Sequence, residues 1–388
     1  MTSSAIFHLP GQPDALETAV KLLQLHQNDH HYAYERDDQC HSTWPVEKSL
    51  LDIARDFVSE YTDPCDGRIF GYAGYNFGPH MRGEAYLPGQ WPILSLMAPV
   101  LQVVVHKSHI ARLLFIDLDH NKDVWTSQVR KALVWLNKGD YGKITPSRSV
   151  PLNRRVDLVS TLFHGRRGNT PRRTFCFDYE CRGSVGFSPE LVVQVKNKKL
   201  VMDAVAGTRS SQGTPEKTAR LRQELLDNPK EVFEHILTTK AAMKTLRPLC
   251  QPGSVRVEEL VSVVSRGPVQ HLYSSVVGDL PSNKDAWDAL ALASPGFSHS
   301  KSSRKMTKEE LKALEIYPRE LYMGSVLFIE GNDSMEAANA LRSVFQDENR
   351  QWLQAGAGII AHSTPERELI ETREKLASVQ PYVMAKAE

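Results

Sequence analysis

What this chain of 388 residues lacks narrows its chemistry at once. Cysteine is scarce: Cys40, Cys65, Cys176, Cys181 and Cys250 form an odd set without any C-x-x-C, which fits a reducing compartment and offers no zinc site. An excess of charge of one sign is also missing, since 47 Lys+Arg against 46 Asp+Glu leave +1. Nucleic acid is therefore not an expected partner, because counterion release needs a basic surface. No apolar run is long enough to span a bilayer. The most apolar stretch, Ile93 to Val105, is short and contains Pro99, and reads as buried strands, so no membrane partner is expected. Met1 to Pro10 lacks the basic start and apolar core of a signal peptide, and a cytoplasmic protein is expected. Repeats, low-complexity blocks and long linkers are absent, so one compact mixed unit is more economical than two domains.

What is present changes character along the chain. Residues up to about Asp66 are polar and His-rich, yet His30, His31 and His41 match no ligand spacing, and surface or partly buried histidines are expected. From Gly67 strands dominate: Arg68 to Tyr75, Leu101 to His106 and Arg112 to Asp117 alternate or run apolar at strand length. A helix capped by Asp123 is expected to reach Leu136, with Val129, Leu133 and Leu136 on one side. Lys143 to Arg148 reads as a strand, although Pro146 removes a ladder donor and belongs only at an edge or bulge. Leu191–Val195 and Leu200–Val205 form a hairpin across Lys196–Lys199, and Gly207 at its end suggests close backbone approach.

Helical periodicity takes over from Thr214. Glu231, Glu234 and His235 share a face of a helix running from about Lys230 to Leu246. The last segment repeats the device. Ala340 to Phe345 reads as a strand, Asp347–Arg350 as a hairpin loop, and Trp352 to Ile360 as the partner strand, rich in glycine at its end. A helix follows, capped either by Ser363 with Glu366 three residues on, or by Thr364 with Pro365 at the first helical position. On it Glu368, Glu371 and Lys375 fall on one face. E-x-x-E also suits a solvated helix face. Two such pairs, each downstream of a glycine-containing strand end, look instead like an oxygen-only Mg2+ site built from Glu231, Glu234, Glu368 and Glu371.

In order along the chain stand Phe187-Ser188-Pro189-Glu190, Ala206-Gly207-Thr208-Arg209, Lys230-Glu231-x-x-Glu234-His235, Val269-Gln270-His271-Leu272, Arg319-x-x-Tyr322-x-Gly324, Ala340-Leu341-Arg342, Ala355-Gly356-Ala357-Gly358 and Glu368-x-x-Glu371-Thr372-x-x-Lys375. This series resembles that of the chorismate-utilising enzymes, over about Gly67 to Tyr382. Asn169-Thr170-Pro171 and Ser265 to Leu272 bring it nearest to the salicylate synthase branch. The resemblance implies an α+β fold: a single large domain of two packed, mostly antiparallel sheets flanked by helices, with the site between the sheets. Residues 67–388 would be the chorismate-binding catalytic domain, and 1–66 a weakly matched N-terminal part of the same domain.

The resemblance also assigns roles. Glu231, Glu234, Glu368 and Glu371 would surround Mg2+, which holds the ring carboxylate. Arg342, Tyr322, Lys375 and the amides of Gly356, Ala357 and Gly358 would hold the enolpyruvyl carboxylate, with His271 and Thr208 lining the ring and His271 counted among the catalytic groups. Lys143 matches the water-activating lysine, which must be neutral to act as a base, and Glu190 the general acid, which must be protonated. The implied reaction is Mg2+-dependent addition of water at C2 of chorismate to give isochorismate, followed by loss of pyruvate to give salicylate. The alternatives are an enzyme that stops at isochorismate and a weakened paralogue that binds chorismate without turnover. Ala206 stands where aminodeoxychorismate synthases often carry a nucleophilic lysine, and no amidotransferase partner is required, so a monomer is expected. Three departures from the pattern stand out: Pro295–Lys305 lacks the loop's usual Gly and Pro, Pro146 interrupts the Lys143 strand, and Glu320 replaces a common glycine.

Overall fold

The computed structural model describes residues 49–61, 69–97, 112–179, 181–294, 298–300, 306–330 and 334–386. Its larger sheet has eight antiparallel strands in the order β10 (Arg256–Arg266), β11 (Val269–Asp279), β9 (Lys199–Ser210), β8 (Leu191–Lys196), β14 (Ser334–Asn339), β13 (Ser325–Ile329), β1 (Ile69–Ala73) and β2 (Leu94–Met97). The second sheet has five, β5 (Ser147–Pro151), β16 (Gln351–Gly356), β15 (Ser343–Gln346), β7 (Arg182–Ser188) and β6 (Arg173–Tyr179). Two short ribbons complete the strands: β4 (Tyr141–Ile144) with β12 (Ser298–Ser300), and β3 (Arg112–Leu113) with β17 (Met384–Ala385). The helices are α1 (Leu50–Tyr61), α2 (Phe77–Met81), α3 (Lys122–Asn137), α4 (Leu158–Gly168), α5 (Pro215–Asp227), α6 (Pro229–Leu246), α7 (Ala286–Ala293), α8 (Lys308–Leu314) and α9 (Pro365–Ala377).

Three apolar layers hold this α+β domain together. Outside the eight-stranded sheet, Ala54 and Val58 of α1, Ala242 and Leu246 of α6, and Trp287 and Leu290 of α7 pack on Val193, Val195, Leu200 and Leu327. Outside the five-stranded sheet, Leu158 and Leu162 of α4 and Leu376 of α9 pack on Val150, Val185, Val344 and Leu353. Between the sheets lies an aromatic cluster in which Trp91 meets Tyr72, Phe177, Phe345 and Trp352 at centroid separations of 5.8–6.4 Å. Tilted and edge-on contacts at this spacing suit aromatic quadrupoles, so the cluster fastens one sheet to the other beside the cleft. Helix α1 is fastened further by Arg55, whose Nε lies 2.7 Å from Asp285 at the cap of α7.

Local chemistry explains most element boundaries. Asn228, Thr214 and Thr364 each accept a backbone N–H with the side chain and are each followed by a proline in the first helical turn, so α6, α5 and α9 start where the capping rules place them. For α9 the choice falls on Thr364, since Ser363 Oγ is used by the N–H of Ile360. The β8–β9 hairpin turns on Asn197 and Lys198, both at positive φ (52° and 64°), the geometry of a type I′ turn.

The structure corrects other expectations. Helix α3 starts at Lys122 behind Asn121 in a left-handed conformation (φ 61°), so Asp123 lies in the first turn rather than at the cap. Arg112–Asp117 yields only the two-residue β3, and Lys143–Arg148 is two strands parted at Thr145-Pro146, where the missing N–H of proline costs no ladder bond. Ala340–Arg342 is a connection rather than a strand, because Arg342 sits at φ 51° and turns the chain from one sheet into the other. Gly207 is not at the end of its strand: β9 runs on to Ser210, and Gly207 (φ 74°) is the bulge that lets both Ala206 and Thr208 pair with successive residues of β11. Glu320 also has positive φ (50°), which accounts for glycine being common there. Its carboxylate compensates by accepting the N–H groups of Gln90 and Trp91, both at 2.9 Å. His30, His31, His41, Leu101–His106 and most of Pro295–Lys305 lie outside the described residues.

Candidate active site

Between the two sheets is a cavity of about 520 Å3, within the size range of a small-molecule site. Lys143, Glu190, Thr208, Glu234, His271 and Tyr322 line it together with Arg342, Gly356, Gly358, Glu371 and Lys375. These residues come from strand ends and connections of both sheets, from β4, and from α6 and α9. Glu231, Glu368 and Ala357 do not line it. Ala357 gives its N–H to Pro146 O at 3.3 Å and buries its methyl in the core, so it presents neither group to a ligand.

One end of the cavity is a field of carboxylates and ammonium groups. Lys143 Nζ lies 3.2 Å from Glu234 Oε1, and Lys230 Nζ lies 3.4 Å from Glu234 Oε2 and 3.7 Å from Glu231 Oε1. Glu231 turns away to Arg209, 3.0 Å distant. Lys375 bonds Glu371 Oε1 at 2.7 Å and Gly356 O at 3.0 Å. Burial alone would raise the pKa of Glu371, but the charge of Lys375 and its hydrogen bond outweigh it and hold the carboxylate ionised. Burial works against Lys230 in the same way and is overcome by Glu234, Glu231, Glu371 and Glu368. Glu368 is the exception. It is 1% exposed, its oxygens accept no hydrogen bond of good geometry among the described residues, and burial with the neighbouring Glu371 pushes its pKa up to about 7 against the pull of the nearby Ser363 hydroxyl.

Glu234 and Glu371 offer oxygen ligands at the cavity wall, and the buried carboxyl of Glu368 lies close to Glu371 outside it; such a set suits a hard divalent cation. Among the described residues no three His, Cys, Asp or Glu side chains converge on one point. That is compatible with Mg2+, which is commonly held by one or two carboxylates, waters and substrate oxygens.

At the other end the groups are oriented rather than ionically crowded. His271 Nδ1 donates to Gly207 O at 2.9 Å, the carbonyl exposed by the β9 bulge, which leaves Nε2 to accept from Arg342. Burial, and then the positive charge of Arg342, keep the ring neutral, with a pKa well below the usual histidine range. Both ring nitrogens are engaged, so His271 acts here as a holder of Arg342. Burial lowers the Arg342 pKa to about 10, opposed by Glu190, and its other arm donates to Arg266 O at 3.0 Å. Tyr322, 3% exposed, is pushed up to about 12 by burial and stays a neutral hydroxyl. Arg319, buried against Glu315 at 2.6 Å, lies 5.9 Å over the Tyr322 ring and 4.6 Å over that of Tyr75. Thr208 Oγ1 is 3.2 Å from His271 Nδ1.

Glu190 sits in the tight connection from β7 to β8. Burial raises its pKa to about 7; the Asn339 amide opposes the shift, nearby Asp203 adds to it, and Arg342 and Lys375 oppose it. A carboxyl poised this way can serve as an acid near neutrality. Sequence reasoning missed Asn339 and Asp203. Asp203 is a lone polar residue inside the apolar run Leu200–Val205, a signal that the strand faces something polar, whereas Asn339 closes a strand that also carries Glu336 and gives no such signal.

Glycine makes room where side chains crowd. A Cβ on Gly358 would lie 2.2 Å from Lys143 Cε, and one on Gly356 would lie 2.6 Å from Pro146 O. The G-x-G spacing thus admits the lysine and the returning chain, a steric need rather than a phosphate cradle.

Comparison with known proteins agrees with this architecture. The chain belongs to the chorismate binding enzyme family, whose pattern matches residues 104–381. It is 34% identical over 272 residues to a salicylate synthase of Mycolicibacterium paratuberculosis, covering 70% of this chain and 60% of that protein. The menaquinone-specific isochorismate synthase of Escherichia coli shares the fold with TM-score 0.69 at 19% identity, over 97% of this chain and 92% of that one. Anthranilate synthase component I of Streptococcus pneumoniae shares it with TM-score 0.73 at 19% identity, over 86% of each chain.

Proposed function

We propose that this protein is an Mg2+-dependent salicylate synthase: it adds water to C2 of chorismate, expels the C4 hydroxyl to give isochorismate, and then eliminates pyruvate. The observation that carries the reading is the presence in one cavity of a candidate base, Lys143, a candidate acid with its pKa near 7, Glu190, and an Arg342–Tyr322–Lys375 group suited to a carboxylate. Lys143 as the free amine takes a proton from water while the oxygen bonds to C2. The ring double bonds shift, and Glu190 gives its proton to the C4 oxygen, which leaves as water. In the second step the C2 hydrogen moves to the methylene carbon of the enolpyruvyl group as the C3–O bond breaks, which releases pyruvate and an aromatic ring. This step needs shape more than acid or base, and the neutral His271 and Thr208 supply a wall without competing protons.

Glu234 and Glu371, which face the cavity, would hold Mg2+, with Glu231 and Glu368 behind them. The chemistry it supplies when bound is neutralisation of the ring carboxylate. Because water is the nucleophile, no ammonia-delivering subunit is needed. The test is incubation of the purified protein with chorismate and Mg2+, with products separated by chromatography. Salicylate and pyruvate in equal amounts are expected. Isochorismate alone would remove the lyase step, and unchanged chorismate would remove the reading.

A further inference from the structure

Two hydrogen bonds join Glu190 to Asn339, at the last position of β14. Its side-chain Nδ2 donates to Glu190 Oε1 at 2.7 Å, and its backbone N–H donates to Glu190 O at 3.1 Å. Asn339 is 3% exposed, and its Oδ1 has no hydrogen-bond partner among the described residues. Ala337 and Ala338 precede it, so an apolar side chain would suit the end of this strand and leave no amide oxygen stranded. The amide contact with Glu190 is what the asparagine gains there. From the other side, Leu191 N–H donates to Asp203 Oδ2 at 3.0 Å, and Asp203 Oδ1 accepts from Tyr273 at 2.9 Å, so the backbone carrying Glu190 is fixed on both flanks.

We infer that Asn339 is a positioning residue for Glu190: it holds Oε1 as the accepting, carbonyl-like oxygen and so leaves Oε2 to carry the acid proton. A protonated carboxyl has one accepting oxygen and one O–H, and an amide N–H can only donate, so the contact selects which oxygen is which. This inference rests on the reading of Glu190 as the acid. The charged groups that face Glu190 are Asp203, which favours the protonated form, and Arg342 and Lys375, which favour the carboxylate. The amide also favours the carboxylate, so losing it tightens the hold on the proton.

The test is Asn339→Leu, with Asn339→Ser as a second variant that removes the reach to Glu190 and makes less apolar demand on the site. The pH profile of kcat is measured alongside the infrared carboxyl band that Glu190→Gln abolishes, followed against pH. In either folded variant we expect KM within about twofold of wild type, kcat lower by roughly 10- to 100-fold through misorientation, and a Glu190 titration moved up by about one pH unit. An unchanged titration and an unchanged kcat in a folded variant would overturn the inference and leave Asn339 a packing residue. The infrared titration needs no turnover. Failure of wild type to convert chorismate would count against the proposed reaction, while the shift of the Glu190 band would still decide the role of Asn339.

Discussion

Lys143 and Glu234 form an ion pair across the cavity, Nζ to Oε1 at 3.2 Å, so the side chain expected to activate water is tied to a carboxylate expected to hold the metal ion. The two proposed roles are therefore linked through one carboxylate: a cation bound at Glu234 would weaken its hold on the lysine.

Glu234→Gln and Glu371→Gln are each expected to abolish Mg2+-dependent turnover and leave the fold intact, because both side chains reach the cavity and neither belongs to the apolar core. Activity against Mg2+ concentration, with circular dichroism as the folding control, checks this. Wild-type activity in either variant at low Mg2+ would remove these residues from the metal site.

Lys143→Gln is expected to lose water addition by about 10²–10⁴-fold, the usual contribution of a general base. With high ammonia at alkaline pH the attacking group needs no base, so a 2-amino product is expected in its place. Salicylate formation by the variant at the wild-type rate would reduce Lys143 to a strand-edge lysine.

Glu190→Gln is expected to keep chorismate binding and lose turnover, since shape is retained and only the proton is removed. For wild type the sign of the pH dependence follows from a carboxyl raised to about 7: the acid form is present below that value, and kcat falls as pH rises through it. Calorimetric binding and a kcat–pH profile test the two halves separately.

Gly358→Ala is expected to fold and yet lose most activity, because its Cβ would meet Lys143 Cε at 2.2 Å and the flexible lysine would give way. The readouts are kcat and a thermal melt. A fully active, correctly folded alanine variant would show that the lysine has room to spare.

Glu368→Gln is expected to raise the melting temperature by a few degrees at pH 8 in the presence of a chelator, with the gain vanishing below about pH 4.5. Burial, with Glu371, lifts the Glu368 pKa to about 7 from 4.5, so between those values the folded state binds the extra proton and stability falls as pH rises. Melts at pH 4 and pH 8 check the sign.

Much of this was legible in the chain. Helix starts at Thr214, Asn228 and Thr364 are written in cap-and-proline pairs, and the hairpin at Asn197-Lys198 in its spacing. Glu234, Glu371 and Lys375 announce themselves by helical spacing, since side chains three or four apart share a face whatever the fold. What could not be read was tertiary. Arg342 looked like a strand residue because its neighbours are apolar, yet the passage between sheets demands a left-handed turn there. Glu231 and Glu234 have the same local signature, and only the approach of Arg209 from β9 draws one away from the cavity. Asn339 touches Glu190 across a gap in sequence that no periodicity bridges.

The aromatic seam around Trp91 bears on how the protein is made. It joins Tyr72 near the start of the described chain to Phe345 and Trp352 near its end, and the cavity beside it takes Lys143 from one third of the sequence and Lys375 from the last turns. Contacts so distant along the chain must close long loops before they stabilise anything, which slows folding. The cavity is therefore complete only when the final helix has docked. A nascent chain carries every motif up to Arg342 before Glu371 and Lys375 can reach the cavity wall.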